Sequence, residues 1–201
     1  MAYATQRDKV VRAMYAIRFS EIIPAEKTVA QIRGMEGVRV RNIYQNLAKQ
    51  HGVSWHGRAY NTGNWAGSDT INRAISSATA CLHGLAHSVL VATGFIPSLG
   101  FVHTGDARSF VFDMADIFKA SVVLPIAIEE AAKSGQTKPI ETRVRVSCRE
   151  AFRKGQMAAR MYSTTCAVLG SPGKDAVVLG TGELALWDPT LGSVPGGKQY
   201  R

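Results

Sequence analysis

The 201-residue chain holds only three cysteines, Cys81, Cys148 and Cys166. Their number is odd and no two stand in a CxxC spacing. That excludes a disulfide framework and points to a reducing compartment, the cytoplasm. A secretory signal is lacking, because Arg7, Asp8 and Lys9 interrupt the N-terminal segment early. An unbroken membrane-length run is lacking too. The most apolar stretch, residues 84–102, contains His87, Gly94 and Pro97 and reads as a buried helix followed by a loop. Nucleotide fingerprints are missing. Residues 170–174 (Gly-Ser-Pro-Gly-Lys) are too short for a P-loop and carry no Ser or Thr after the lysine. Gly180-Thr181-Gly182 does not extend into a dinucleotide motif, and no serine sits in a nucleophile elbow. There are no internal repeats and no low-complexity tracts.

What is present is enough apolar residue, 46%, to fill one core, and a net charge of +9. The charge is segregated. Residues 1–60 hold ten Lys/Arg against four Asp/Glu, residues 61–135 four against six, and residues 136–160 seven against two. Basic flanks suit a polyanion, and an acidic middle suits a cation held within reach of it. Solvated Lys and Arg on helix surfaces produce the same count.

Apolar periodicity predicts an all-α fold: a compact multi-helix domain over residues 1–170 and an irregular tail over 171–201. The first helix runs from Thr5 to Phe19 with Val10, Met14 and Ile17 on one face. A second covers Thr28 to Gln50, opened by a capping box of Thr28 and Gln31 and ended by Gly52. Residues 52–67 read as a loop. Asp69 caps a long apolar helix that runs to about Thr93. Further helices are expected at Ser109–Lys119, Val122–Lys133 with Pro125 in its first turn, Pro139–Lys154 and Gln156–Leu169. Glycine and proline become frequent after Pro172, with room for a short strand at residues 176–179.

Glu36 is the anomaly in this pattern. Val29, Ile32, Val40, Ile43 and Leu47 form one narrow stripe at 100° per residue, and Glu36 falls in its middle. A carboxylate on a core face is costly unless paired. Arg33, Arg39 and Arg41 surround it in sequence, as they would around a metal or phosphate site. A second concentration of chemistry lies at residues 100–116. His103 sits in a Gly-bounded loop, and Asp113 and Asp116 follow at i, i+3 on one helix beside an apolar stripe of Phe110, Met114 and Ile117. Two carboxylates and an imidazole suit Mg²⁺ or Mn²⁺. From spacing alone a solvent-facing or salt-bridged Asp113 is the commoner use, and a packed loop histidine competes evenly for His103. His83 and His87 stand at i, i+4, a zinc-capable spacing, but Gly84 occupies the place of the zinc-protease glutamate. Arg145, Arg149 and Arg153 line one helix face and, with Arg143, could follow a nucleic-acid backbone. Trp55, Tyr60 and Trp65 could stack on bases, although core packing is their commoner use.

Four blocks resemble one known family. They are Arg33-Gly34-Met35-Glu36-Gly37-Val38-Arg39-Val40-Arg41, Gly67-Ser68-Asp69-Thr70-Ile71-Asn72, Gly100-Phe101-Val102-His103-Thr104-Gly105, and Ser109-Phe110-Val111-Phe112-Asp113-Met114-Ala115-Asp116. In this order and spacing they resemble the CRISPR-associated adaptation endonuclease/integrase, the subunit that inserts spacers, in its Cascade-type subgroup. The likeness runs from about Arg7 to Leu169. It implies a helical catalytic domain that binds Mg²⁺ or Mn²⁺ through Glu36, His103 and Asp116, with Asp113 and Lys119 at further active-site positions. With DNA as the substrate, the arginines around Glu36 (Arg33, Arg39, Arg41) and those of the basic helix (Arg143, Arg145, Arg149, Arg153) are the candidate DNA contacts, with a solvated helix face as the alternative for the latter. The implied chemistry is DNA cleavage and strand transfer, in which a DNA 3′-hydroxyl attacks a phosphodiester of the CRISPR repeat. The implied partners are branched or pre-spacer DNA, the small ferredoxin-fold adaptation subunit, and a second copy of the chain. Two departures are visible. The chain begins almost directly on the helical part, so the family's N-terminal β-rich domain is expected to be absent, which bears on dimer formation and DNA holding. His83 stands where the family often has a tyrosine. The alternative is a catalytically inactive DNA-binding or scaffolding remnant, and a weaker one is a zinc protein built on His83 and His87. Ligation by His103 further implies that metal affinity falls as pH drops through the histidine range.

Overall fold

A computed structural model describes residues 2–19, 23–58, 68–170, 185–188, 190 and 192–195. The chain divides into two compact units, Met1–Ser171 and Pro172–Arg201.

The first unit is all-helical, with seven α-helices among the described residues: α1 (Ala2–Phe19), α2 (Val29–Gln50), α3 (Thr70–Ala92), α4 (Ser109–Phe118), α5 (Leu124–Ala132), α6 (Ile140–Lys154) and α7 (Met157–Val168). Local sequence sets the boundaries. The Thr28 hydroxyl accepts from the Gln31 N–H and the Gln31 side chain takes the Thr28 N–H, completing the capping box of α2. Asp69 caps α3 by accepting from the Asn72 N–H at 2.7 Å. Helix α3 is the hub and packs against α4, α5, α6 and α7. Its buried Ala74, Ala78 and Ala86 let neighbouring helices approach closely, and Ile75, Leu82 and Leu90 fill the space between them. This helix has the length and hydropathy of a membrane span, but Ile71, Ile75, Leu82, Val89 and Leu90 are buried inside the bundle, while Val91 is exposed.

Three expectations need correction here. Helix α1 begins at Ala2 rather than Thr5, and it buries Val10, Val11, Met14 and Tyr15, while Ile17 is 42% exposed. The buried face is therefore rotated from the one expected, and Arg18 falls on it, three and four residues after Tyr15 and Met14. The two helices expected on either side of residue 120 are joined. A π turn at Lys119–Val123 runs straight from α4 into α5, and Pro125 lies in the first turn after it. The widened π turn carries the chain past a residue that lacks an N–H without a break. In the second unit, expected to be irregular, Ala185–Asp188 and Gly192–Pro195 pair as antiparallel strands β1 and β2, with Leu186 opposite Val194. Leu186, Trp187 and Val194 are residues that favour a pleated surface. The strand expected at residues 176–179 lies outside the described residues.

A buried ion cluster ties α5 to α6. Glu130 accepts from Lys133 Nζ at 2.7 Å, Ser147 Oγ at 2.8 Å and Arg143 Nη1 at 3.0 Å. Burial pushes the Glu130 carboxyl up, but the Lys133 and Ser147 hydrogen bonds and the Lys133 and Arg143 charges outweigh it, leaving the group below its ordinary value. Glu130→Ala leaves Arg143 buried without its counter-charge and is expected to cost about 3–5 kcal/mol. Because the folded-state pKa is depressed, this contribution is complete above the ordinary carboxylate value and lost as pH falls through the depressed one. Urea unfolding of the wild type and variant should show the gap at neutral pH and its closure in acid.

Candidate active site

The loop that carries His103 is built around Gly100 and Asp113. A Cβ at Gly100 would lie 2.0 Å from the His103 carbonyl oxygen and 2.4 Å from Ser109 Cβ, so only glycine lets the loop fold back onto the start of α4. Asp113, its side chain fully buried, accepts from the backbone N–H of Phe101 (2.5 Å), Val102 (3.0 Å) and His103 (2.8 Å). Two arginines grip the opposite side of the loop. Arg7 Nε donates to the Phe101 carbonyl at 2.8 Å, and Arg33 donates to the Val102 carbonyl. Asp113 Oδ1 also pairs with His103 Nδ1 at 2.8 Å. If that nitrogen bears the proton, as its carboxylate partner requires at neutral imidazole, Nε2 presents its lone pair to the site. The Asp113 hydrogen bond raises the His103 pKa, against the pull of burial, and the Asp116, Asp113 and Glu36 charges add to the rise.

His103 Nε2 points at Asp116, 3.9 Å from Oδ2, and Lys119 Nζ stands 3.8 Å from Asp116 Oδ1. Lys119 opens the π turn, a feature that recurs at functional sites. Glu36 reaches the same place from α2. Its Oε2 accepts from the Tyr15 hydroxyl at 2.7 Å, and its Oε1 forms an ion pair with Arg18, whose Nη1 also lies 3.7 Å from Asp116 Oδ2. Burial and the Glu36 carboxylate both push the Tyr15 phenol well above its usual value, so it stays a donor. Glu36, Asp116 and Lys119 line an open cavity of about 360 Å³ together with Arg18, Arg33 and Tyr44. A smaller pocket, between Arg18, Tyr15, His103, Asp113 and Asp116, adjoins it.

Residues 36, 116 and 119 therefore line one cavity and residues 103, 113 and 116 a smaller pocket that shares Arg18 and Asp116 with it, although they come from α2, the loop after α3, α4 and the π turn. Among the described residues, no three His, Cys, Asp or Glu side chains stand close enough together to hold a metal as they are. Asp116 meets His103 directly, and Glu36 joins them through Arg18. The donor set fits a hard divalent cation: two carboxylates and one neutral imidazole nitrogen, with oxygen dominant. The Arg18 guanidinium, lying between Glu36 and Asp116, shows that these two carboxylates already converge on a positive charge.

The arginines expected at DNA divide by environment. Arg33 is exposed at the cavity rim, although one of its nitrogens is engaged with the His103 loop. Arg39 stacks over Phe19 at 4.6 Å, and Arg41 lines a second cavity of about 500 Å³ with Tyr44, Trp55 and Arg58. Arg145, Arg149 and Arg153 are exposed on α6, with Arg149 and Arg153 beside Glu150. Arg143 is turned inward to Glu130 with 11% of its side chain exposed. Trp55 stacks on Tyr44 at 4.9 Å, the core use rather than a free platform. Tyr60 and Trp65 lie outside the described residues. His83 packs its ring against Phe112 at 5.0 Å, and Phe112 in turn meets the edge of His103 at 5.8 Å. His83 thus touches the site through an aromatic spacer, and burial lowers its pKa.

Residues 1–149 match the family model described as CRISPR associated protein Cas1. The chain belongs to the Cas1 family. The CRISPR-associated endonuclease Cas1 of Geobacter sulfurreducens is 48% identical over 169 residues, covering 84% of this chain and 55% of that protein. The Escherichia coli K12 protein of the same name is 47% identical over 155 residues, covering 77% of this chain and 50% of its own length. Among solved structures, the TtCas1–DNA complex aligns with a TM-score of 0.73 at 42% identity over 81% of this chain and 60% of that one. The chain spans about half the length of these curated Cas1 relatives. The helical class expected for the family's catalytic part agrees with the first unit.

Arg18, Tyr15 and Arg7 were not foreseen as site residues. For Arg18 a signal was available. Val11, Met14, Tyr15 and Arg18 recur at helical spacing on one face of α1, so Arg18 is a charge on an apolar stripe, as Glu36 is on α2. Two stripes with opposite charges at the same depth are a pairing signal. Arg7, which among the described residues hydrogen-bonds a loop carbonyl 94 residues away, left none.

Proposed function

We propose that this chain carries a metal-dependent DNA nuclease/integrase centre that cuts or joins phosphodiesters during CRISPR spacer acquisition. The observation that carries the proposal is that Glu36, Asp116 and Lys119 line one open, basic-rimmed cavity while His103 Nε2 lies 3.9 Å from Asp116 Oδ2 in the pocket beside it. Glu36, Asp116 and His103 Nε2 would hold Mg²⁺ or Mn²⁺. Such an ion, when bound, neutralises phosphate charge and lowers the pKa of an attacking water or DNA 3′-hydroxyl. Asp113 keeps the proton on His103 Nδ1, and with the loop N–H groups it fixes the imidazole in place. Lys119 and Arg33 sit at the cavity, where they can take phosphate oxygens and offset charge that builds in the transition state. Arg145, Arg149 and Arg153 offer a second phosphate-binding surface. The substrates proposed are branched or pre-spacer DNA and the CRISPR repeat, consistent with the DNA bound by the related TtCas1. The small ferredoxin-fold adaptation subunit and a second copy of the chain are proposed partners, in the cytoplasm.

The test is metal dependence. With branched DNA, the protein is expected to cut or transfer strands in Mn²⁺ or Mg²⁺ and to stop when a chelator is added. Salt-dependent DNA binding with no strand cutting under any metal would contradict the proposal and favour a non-catalytic binding remnant.

A further inference from the structure

Arg18 has the best-buried charged side chain that faces the cavity, with 9% of it exposed. It reaches both carboxylates at once, in an ion pair with Glu36 Oε1 and at 3.7 Å from Asp116 Oδ2. The arrangement is held from several sides. Tyr15 fixes the other Glu36 oxygen at 2.7 Å, and the Phe19 ring lies 5.7 Å from the Arg18 guanidinium carbon. The Arg18 Nε is buried and has no hydrogen-bond partner among the described residues. A guanidinium with one buried donor unused is fastened by charge at its tip rather than by a full set of hydrogen bonds, and so it can be moved.

From this geometry we propose that Arg18 is a built-in competitor for the divalent ion. It rests on the reading of Glu36, His103 and Asp116 as the metal ligands. The guanidinium holds Glu36 and Asp116 together in the place the ion would take, and the ion binds only by displacing it. A guanidinium and a divalent ion cannot share the same carboxylate oxygens at contact distance, since both are cations and both need those lone pairs. The device keeps two carboxylates from facing each other unpaired, and it scales apparent metal affinity down by a factor equal to the fraction of molecules in which Arg18 is displaced. Arg18 lines the open cavity in its seated position, so a guanidinium released from Glu36 and Asp116 would be within reach of a DNA phosphate entering that cavity. Metal and phosphate would then favour the same displaced position of Arg18, so each should tighten binding of the other.

Calorimetric Mn²⁺ titration without DNA tests the proposal, since it does not depend on turnover. Arg18→Met removes the charge and keeps the bulk. It is expected to bind Mn²⁺ about tenfold or more tightly than the wild type, to melt at a lower temperature without the ion, and to gain more from adding it. In Arg18→Ala, millimolar methylguanidinium is expected to weaken Mn²⁺ binding again, whereas the wild type is unmoved; a residue that only packs the helix gives no such response. Equal or weaker Mn²⁺ affinity in Arg18→Met overturns the competitor role. Should the Met and Ala variants fail to fold, Arg18→Lys keeps the charge but loses the fork, and it is expected to bind Mn²⁺ more tightly than the wild type by a smaller factor; no gain there overturns the proposal as well. Glu36→Gln separates this failure from that of the site itself. If Glu36→Gln binds Mn²⁺ as the wild type does, the ligand assignment is wrong, whereas loss of binding in Glu36→Gln with no effect of Arg18 variants removes only Arg18.

Discussion

Glu36→Gln is expected to lower Mn²⁺-dependent DNA cleavage by on the order of 10³-fold or more, with the helical fold intact. The substitution is nearly isosteric. The Tyr15 hydroxyl can still donate to the amide oxygen, and Arg18 keeps Asp116, so the local packing survives. What goes is one anionic oxygen of the proposed metal site. Lewis-acid stabilisation of a reacting phosphate is worth several kcal/mol, and each ~1.4 kcal/mol lost is a factor of ten in rate. Asp116→Asn and His103→Ala should cause losses of similar size, because each removes a proposed ligand of the same ion. Circular dichroism and thermal melting give the folding control, and cleavage of branched DNA gives the rate. Full activity in Glu36→Gln would mean that the carboxylate has only a structural part, as the partner of Arg18 and Tyr15.

Asp113→Ala is expected to have the largest effect on the architecture of the site. Its carboxylate is fully buried and receives three backbone N–H groups and the His103 imidazole. Removing it strands those donors in the loop, at a cost of about 3–5 kcal/mol after relaxation. His103 should lose its fixed orientation at the same time, and its pKa should fall back toward the ordinary histidine value, since the Asp113 hydrogen bond is the main cause of the rise. Urea unfolding measures the first effect and an NMR titration of the His103 ring the second. Asp113→Asn is a stricter variant, because its NH₂ group would face donors with a donor. A stable Asp113→Ala protein with an unshifted His103 titration would show that the loop is held by Arg7, Arg33 and Gly100 alone.

Much of the helical unit is written locally. Thr28 with Gln31 and Asp69 with Asn72 mark helix starts by short-range hydrogen bonding, which depends on a few adjacent residues and on little else. The Glu36 anomaly was likewise visible, because helical periodicity puts a residue on a face whatever the tertiary fold. The partner on that face was not visible. Arg18 meets Glu36 only because α1 and α2 pack together, and the expected face of α1, with Ile17 in it, pointed elsewhere. Arg143 illustrates the same limit. Its place in a basic run suggests a surface ridge, yet the buried Glu130 on α5 draws it inward, and nothing in the helix itself reveals that carboxylate. The π turn is legible only in retrospect, since apolar periods on both sides of residue 120 look like two helices whether the joint is a break or a widened turn. Grouping His103 with Glu36 came only from the resemblance between sequence blocks, because no local pattern links a loop after α3 to the middle of α2.

Crystals equilibrated with Mn²⁺ and examined by anomalous scattering put the metal assignment at greatest risk. A single strong peak is expected about 2.1 Å from His103 Nε2 and from carboxylate oxygens of Glu36 and Asp116, with the Arg18 guanidinium moved away from both. A peak at His83 and His87, or saturating Mn²⁺ with Arg18 still bridging Glu36 and Asp116, contradicts it.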